Sequence, residues 1–106
     1  MIKSLRLKRN GDFDKVFKNG KKVYSKNLLF IYLKEKSLKI GYSVSKKHGK
    51  AVVRNRVKRL LRAAMRENVS LIKGSYYIVI LPKVSEDYSF SAFKEEIKRV
   101  LEREKI

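Results

Sequence analysis

Residues 51–68 read AVVRNRVKRLLRAAMREN, and their spacing predicts one amphipathic helix. At 100° per residue its apolar side gathers Val53, Val57, Leu60, Leu61, Ala64 and Met65. The opposite side carries Arg54, Asn55, Lys58, Arg59, Arg62 and Arg66, and Arg56 sits at the border of the two sides. A solvated helix face usually interleaves glutamate with lysine, but this one has no acid among its cations. We interpret it as a binding surface for a polyanion, and the excess of arginine favours phosphate.

The segments on either side of this helix predict a small sheet. Before it, NLLFIYL (27–33) is apolar on both faces, whereas SLKIGYSV (37–44) alternates between apolar and polar residues. The KEK between them (34–36) suggests a hairpin turn. After the helix, SYYIVIL (75–81) predicts a third buried strand, and SAFKEEIKRVLEREK (91–105) predicts a closing helix with Phe93, Ile97, Val100 and Leu101 on one face.

A short helix is predicted at the start of the chain. In NGDFDKVFKNG (10–20), Asn10 or Asp12 can cap the first turn and Gly20 can end the helix. Phe13, Val16 and Phe17 fall on one stripe. The predicted order is therefore α-β-β-α-β-α, which indicates an α+β fold with helices packed against a sheet.

Charge is distributed unevenly along the 106 residues. Residues 1–62 contain 20 Lys/Arg and 3 Asp/Glu, a balance of +17 out of the total of +18. Solubility does not require such segregation, which therefore indicates a polyanion as partner. Nucleic acid is favoured over an anionic membrane, because no helix pairs its lysines with the exposed Trp/Phe/Leu face of a membrane anchor. The chain has no cysteine, no apolar run long enough to span a membrane and no signal-peptide pattern. We expect a single nucleic-acid-binding domain (1–106) in the cytoplasm, without a membrane partner.

The sequence predicts no catalytic site or metal site of its own. Cleavage of a phosphodiester needs an acid–base pair or carboxylates that hold metal ions. Asp12 and Asp14 lie two residues apart, on different faces of their helix, and His48 has no partner histidine. The later acids Glu95, Glu96, Glu102 and Glu104 are interpreted as solvating groups on a mixed-charge helix. We therefore expect that the protein alone is not a nuclease.

Aromatic residues accompany the basic segments. Phe13 and Phe17 lie among Lys8, Arg9, Lys15 and Lys18, and the strands add Phe30, Tyr32 and Tyr42. Aromatic faces in a basic groove bind single-stranded RNA. Rings at these spacings are also typical of a core, and the pattern alone leaves both interpretations open.

Taken together, these segments resemble the protein subunit of bacterial ribonuclease P over nearly the whole chain. The resemblance rests on RLKRNGDFDKVFKNG (6–20) and GYSVSKKHGKAVVRNRVKRLLR (41–62). The second stretch holds the family's signature, which is Ala51, then Arg54-Asn55-Arg56, then Val57-Lys58-Arg59. The C-terminal third matches only in general pattern.

The resemblance implies a four-stranded sheet packed with three helices in the order α-β-β-β-α-β-α. The additional strand would be a brief edge strand near Val23–Tyr24. A left-handed βαβ crossover would contain the Arg-Asn-Arg helix, although such crossovers are generally right-handed.

The resemblance also implies a function. The holoenzyme would be a Mg²⁺-dependent endoribonuclease that removes the 5′ leader of precursor tRNA, with catalysis and Mg²⁺ held by its RNA subunit. The single domain (1–106) would bind RNA and have no DNA partner, and its basic helix would contact the catalytic RNA. A cleft with Lys46 and Lys47 at its rim would bind the leader through Phe13, Phe17 and one aromatic of the first long strand, either Phe30 or Tyr32. The alternative is a ribosomal or other structural RNA-binding protein with no role in turnover.

Overall fold

A computed structural model describes residues 5–106, which form a sheet with helices on both faces. The helices are α1 (Asn10–Asn19), α2 (Ala51–Arg66) and α3 (Phe90–Glu104). The strands are β1 (Lys21–Tyr24), β2 (Leu28–Lys34), β3 (Lys39–Tyr42) and β4 (Tyr76–Pro82). Two short 3-10 helices cover Lys46–His48 and Val69–Leu71. The order α-β-β-β-α-β-α and the α+β class are confirmed, including the edge strand at β1.

The strands lie in the order β1-β2-β4-β3. β2 is antiparallel to both of its neighbours, whereas β3 and β4 are parallel and are joined through α2. The hairpin predicted at residues 34–36 is therefore wrong, because β4 lies between β2 and β3. A parallel pair cannot be joined by a tight turn and needs a crossover connection, which α2 supplies. The left hand of this crossover stays a prediction.

The two faces of the sheet carry separate apolar clusters. α2 and α3 cover one face, where Phe30, Ile78 and Ile80 meet Val57 and Leu61. The opposite face is covered by α1 and carries Leu7, Val16, Ile31 and Val79, all buried. Since successive strand residues point to opposite faces, each residue of β2 has a fixed side. Leu29, Ile31 and Leu33 face α1, whereas Phe30 and Tyr32 face α2 and α3.

The helix ends depart in detail from the sequence predictions. The N-cap of α1 is Arg9 and no side chain caps it, so Asn10 and Asp12 do not have the predicted role. Gly20 ends α1 as predicted, and its N–H donates to the Val16 carbonyl oxygen at 2.8 Å. α2 ends two residues before Asn68. Asn68 is buried beyond that end, and its side-chain amide donates to the carbonyl oxygens of Ala64 and Lys94, each at 3.0 Å.

Two glutamates of α3 connect this helix to the sheet, so the prediction that they only solvate it is wrong. Glu96 is 6% exposed and accepts hydrogen bonds from Ser25 Oγ (2.7 Å), Asn27 N–H (2.7 Å) and Asn27 Nδ2 (2.6 Å). Glu104 accepts a hydrogen bond from the Tyr32 hydroxyl at 2.6 Å and pairs with Lys21 at 2.7 Å. The hydrogen bond with Lys21 is the main cause that holds the pKa of Glu104 below its usual range, and the bond with Tyr32 is the second. The contact with Lys21 thus ties α3 to β1, and the contact with Tyr32 ties it to β2.

Candidate nucleic-acid interface

The basic side of α2 faces solvent because the apolar side packs on the sheet. Val57, Leu61, Ala64 and Met65 are buried, as the sequence predicts. Val53, assigned to the same apolar side, is 38% exposed because it lies in the first turn of the helix. The residues on the other side are accessible: the amide of Asn55 and the cations Arg56, Arg59, Arg62 and Arg66 are exposed, and Arg54 and Lys58 are half-buried.

Arg54 differs from the other cations of α2. Its Nε atom is buried and has no hydrogen-bond partner among residues 5–106. A buried donor without a partner costs free energy. The outer nitrogens of the guanidinium remain suited to forked contact with a phosphate.

The loop before α2 is held in one conformation by His48. The Ser45 N–H donates to His48 Nδ1 at 3.1 Å, and the Ser45 side chain accepts the N–H of Lys47. His48 Nε2 lies 2.6 Å from the Pro82 carbonyl oxygen at the end of β4. A carbonyl oxygen only accepts, so Nε2 carries the proton and donates it to this bond. Gly49 then reverses the chain at φ 129°, a conformation that favours glycine. Lys46 and Lys47 are thereby exposed next to the start of α2.

A groove runs between α1 and α2 along β3. It consists of two adjoining cavities of about 400 and about 360 Å³, and both are lined by Phe13, Tyr42 and Lys58. Arg6, Lys8 and Arg62 add positive charge to the first cavity. Phe17, Asp14 and Ser43 line the second one. The groove therefore has aromatic residues along it and basic residues at its α2 side, which is the composition of a single-strand binding site.

The position of Phe13 depends on Gly41. A Cβ atom at Gly41 would lie only 2.5 Å from the Phe13 ring, so the ring packs directly on the backbone of β3. Both Phe13 and Phe17 are half-buried, and each packs against the cluster on the α1 face. The rings therefore pack on the cluster of the α1 face and also line the groove, and their binding of a single strand stays a prediction.

Phe30 and Tyr32 do not line this groove, so that prediction is wrong. Both lie on the face that α2 and α3 cover, and Phe30 is 0% exposed there. The Tyr32 hydroxyl is engaged by Glu104. The residues of β2 that face α1 are leucines and an isoleucine, which offer no ring for stacking.

Tyr42 of β3 is the strand aromatic that lines both cavities. The sequence placed it among the aromatics beside the basic segments, but the resemblance gave the cleft position to Phe30 or Tyr32. Burial raises its pKa to about 12, against the opposing effect of Arg62 and Arg66. Its hydroxyl is therefore neutral at physiological pH. The alternation of SLKIGYSV was the available signal, since it placed Tyr42 on the apolar side of its strand together with Ile40.

Residues 5–106 contain neither a metal-binding cluster nor a membrane-spanning helix. No group of three or more His, Cys, Asp or Glu side chains is placed to hold a metal ion. No helix in this part of the chain is long and apolar enough to cross a membrane.

Comparison with known proteins gives one consistent match. The family model described as Ribonuclease P matches residues 1–105. The chain is 42% identical to the ribonuclease P protein component of Bacillus velezensis over 106 residues, which cover 97% of this chain and 91% of the relative. It is 45% identical to that of Clostridioides difficile over 101 residues, which cover 92% and 89% of the two chains.

Solved structures agree with this match. The ribonuclease P protein of Staphylococcus aureus superposes with a TM-score of 0.84 at 29% identity, covering 98% of both chains. That of Thermotoga maritima gives a TM-score of 0.82 at 30% identity, covering 92% of this chain and 96% of the other.

Proposed function

Because the chain belongs to the ribonuclease P protein family, we propose that it binds two RNAs at once, the catalytic RNA and precursor tRNA. Membership makes it the protein component of a bacterial tRNA-processing endoribonuclease, and this component has an RNA partner. Each of the two RNAs binds to a different part of the protein surface. It rests on one observation: Lys58 and Arg62 belong to the basic side of α2 and also line the aromatic groove, so the two surfaces are continuous.

The basic side of α2 binds the catalytic RNA. Its surface comprises Arg54, Asn55, Arg56, Lys58, Arg59, Arg62 and Arg66. No acid lies between Ala51 and Arg66, so the positive potential along the helix is not neutralised within it. The arginines form forked hydrogen bonds with phosphates, and Asn55 is an exposed amide that can contact a base edge, a sugar or a hydrated ion.

The groove binds the single-stranded 5′ leader of precursor tRNA. Its two adjoining cavities lie between α1 and α2, and Phe13 and Phe17 offer ring edges and faces for stacking. Tyr42 takes the role predicted for a β2 aromatic, and its neutral hydroxyl can hydrogen-bond a sugar or base. Lys46 and Lys47 contribute charge near the start of α2.

In this proposal the catalytic RNA performs the cleavage and holds the Mg²⁺ ions. The donor set of residues 5–106 does not suit a resident metal, because its carboxylates and its histidine are dispersed. The protein acts by binding: its cations neutralise crowded phosphates, and its groove fixes the leader. The RNA–protein pair should therefore discriminate precursor from mature tRNA better than the RNA alone.

One reconstitution tests these roles. Precursor tRNA is incubated at low Mg²⁺ with the protein, with a bacterial ribonuclease P RNA, and with both. We expect the protein to stimulate cleavage only with the RNA and to strengthen binding of precursor more than binding of mature tRNA. Cleavage by protein alone would assign the chemistry to the protein. Equal effects on precursor and mature tRNA would refute leader binding and favour a structural RNA-binding protein.

Substitution of His48 separates positioning from chemistry. His48→Ala should leave the single-turnover cleavage rate at saturating precursor nearly unchanged, because both ring nitrogens are engaged in holding the loop. The free energy of unfolding should fall by about 0.5–1.5 kcal/mol for each hydrogen bond lost. Single-turnover kinetics and thermal melts measure the two effects. A large loss of rate at saturation would instead indicate proton transfer by His48.

A further inference from the structure

A strip of the sheet on the α1 face continues the groove away from α2. Ser43, which lines the groove beside Phe17, follows Tyr42, and Tyr42 pairs with Ile80. The next residue of β4, Leu81, pairs with Leu29 of β2, and Leu29 pairs with Tyr24 of β1. One row of residues therefore runs from Ser43, directly after β3, across β4, β2 and β1 to the opposite edge of the sheet.

The floor of this strip is apolar and only partly covered. Leu29 and Leu81 are half-buried and belong to the same cluster as Phe17. Val16 of α1 belongs to the cluster that buries Ile31 and Val79 in a neighbouring row, whereas Leu29 and Leu81 stay partly accessible. The strip is thus an extension of the groove floor rather than a second cavity.

Tyr24 stands at the far end of the strip. It is 66% exposed, the second most exposed of the large hydrophobic residues in the described part of the chain. Its neighbour Val23 is buried on the α2–α3 face, so the alternation of β1 directs the Tyr24 side chain to the α1 face. At the end of its strand Tyr24 also borders a cavity of about 460 Å³ that Ser25 and Glu96 line beside α3. An aromatic ring exposed to this extent gains little for the fold, but it can stack on a base.

The charges around the strip match RNA. Lys22 shares the α1 face of β1 with Tyr24, and two further exposed lysines belong to the elements of this face, Lys18 on α1 and Lys83 directly after β4. β1, β2 and β4 contain no aspartate or glutamate. A strand of RNA leaving the groove beside Phe17 would meet cations and apolar surface along this row.

We propose that Tyr24 is a distal stacking platform that binds a leader nucleotide further from α2 than the one at Phe17. This inference rests on the proposed function of the groove. Three strand spacings of about 4.8 Å separate the row's two ends, a path of about 14 Å. Stacked nucleotides advance by about 3.4 Å, and extended ones advance further, so Tyr24 lies about two to four nucleotides beyond Phe17 along the leader.

The test uses holoenzyme reconstituted with a bacterial ribonuclease P RNA and precursors whose leaders are shortened one nucleotide at a time. Tyr24→Ala should weaken binding of long-leader precursor about 5- to 150-fold, the equivalent of one base–aromatic stack. Tyr24→Phe, the matched control, retains the ring and should bind normally. Because Tyr24 is exposed, the melting temperature of Tyr24→Ala should stay near that of the parent protein.

The position of the loss along the leader series decides the inference. The effect of Tyr24→Ala should disappear at a leader about two to four nucleotides longer than the one at which the effect of Phe17→Ala disappears. If Tyr24→Ala weakens precursor binding at no leader length, or weakens it equally at all lengths, Tyr24 does not have the proposed role. If Phe17→Ala also shows no dependence on leader length, the groove itself does not bind the leader, and the proposed function fails with it.

Discussion

Raising the salt concentration from 50 to 200 mM should weaken binding of the protein to ribonuclease P RNA about 10³–10⁵-fold. This expectation assumes about six to ten phosphate contacts, each of which releases counterions from the RNA. The basic side of α2 supplies six of the required cations, and none of them is neutralised by an acid within the helix. The slope of log affinity against log salt concentration measures the number of contacts.

Single substitutions locate those contacts on α2. Arg59→Ala and Arg62→Ala should each reduce the magnitude of this slope by about one unit. Both side chains are exposed, so the free energy of unfolding should change by less than about 0.5 kcal/mol. Lys98→Ala serves as the control, because Lys98 is an exposed cation on the mixed-charge helix α3. Unchanged slopes for both arginine variants would remove α2 from the RNA-binding surface.

The sequence was sufficient to predict the elements that have one buried face. In α2, the residues at helical spacing included all four that are buried, because one apolar side packs on the sheet. In β3, the alternation placed Ile40 and Tyr42 on one face, and both belong to the α2–α3 side. Val53 is the exception, since a residue in the first turn of a helix can extend beyond the surface that the helix covers.

The sequence was not sufficient for an element buried on both faces. β2 reads LLFIYLK, and its apolar residues fill both clusters, so no polar residue marks which side meets α1. Phe30 and Tyr32 were therefore placed in the groove, although they point the other way. The order of the strands was equally inaccessible, because the insertion of β4 between β2 and β3 depends on pairing between distant segments.

The largest difference in stability is expected between two phenylalanine variants, one in the core and one at the groove. Phe30→Ala should lower the free energy of unfolding by about 3–5 kcal/mol, since Phe30 is fully buried and its removal leaves a cavity. Phe17→Ala should cost considerably less, because this ring is half-buried at the groove. Chemical denaturation of both variants measures the difference. Equal losses would mean that Phe17 is a core residue.

Binding should reverse the ranking of the same two substitutions. Phe17→Ala should weaken precursor affinity by about 1–3 kcal/mol, the worth of one base–aromatic stack, and only when the leader reaches the ring. Folded Phe30→Ala protein, assayed well below its melting temperature, should bind long- and short-leader precursors in the parental ratio, because Phe30 is fully buried and lines neither cavity of the groove. Val16→Ala is the matched control in α1: Val16 is 0% exposed one residue before Phe17, so its truncation should cost stability without leader dependence. A Phe17→Ala variant that melts like Val16→Ala and binds both leaders normally would place the leader elsewhere on the protein.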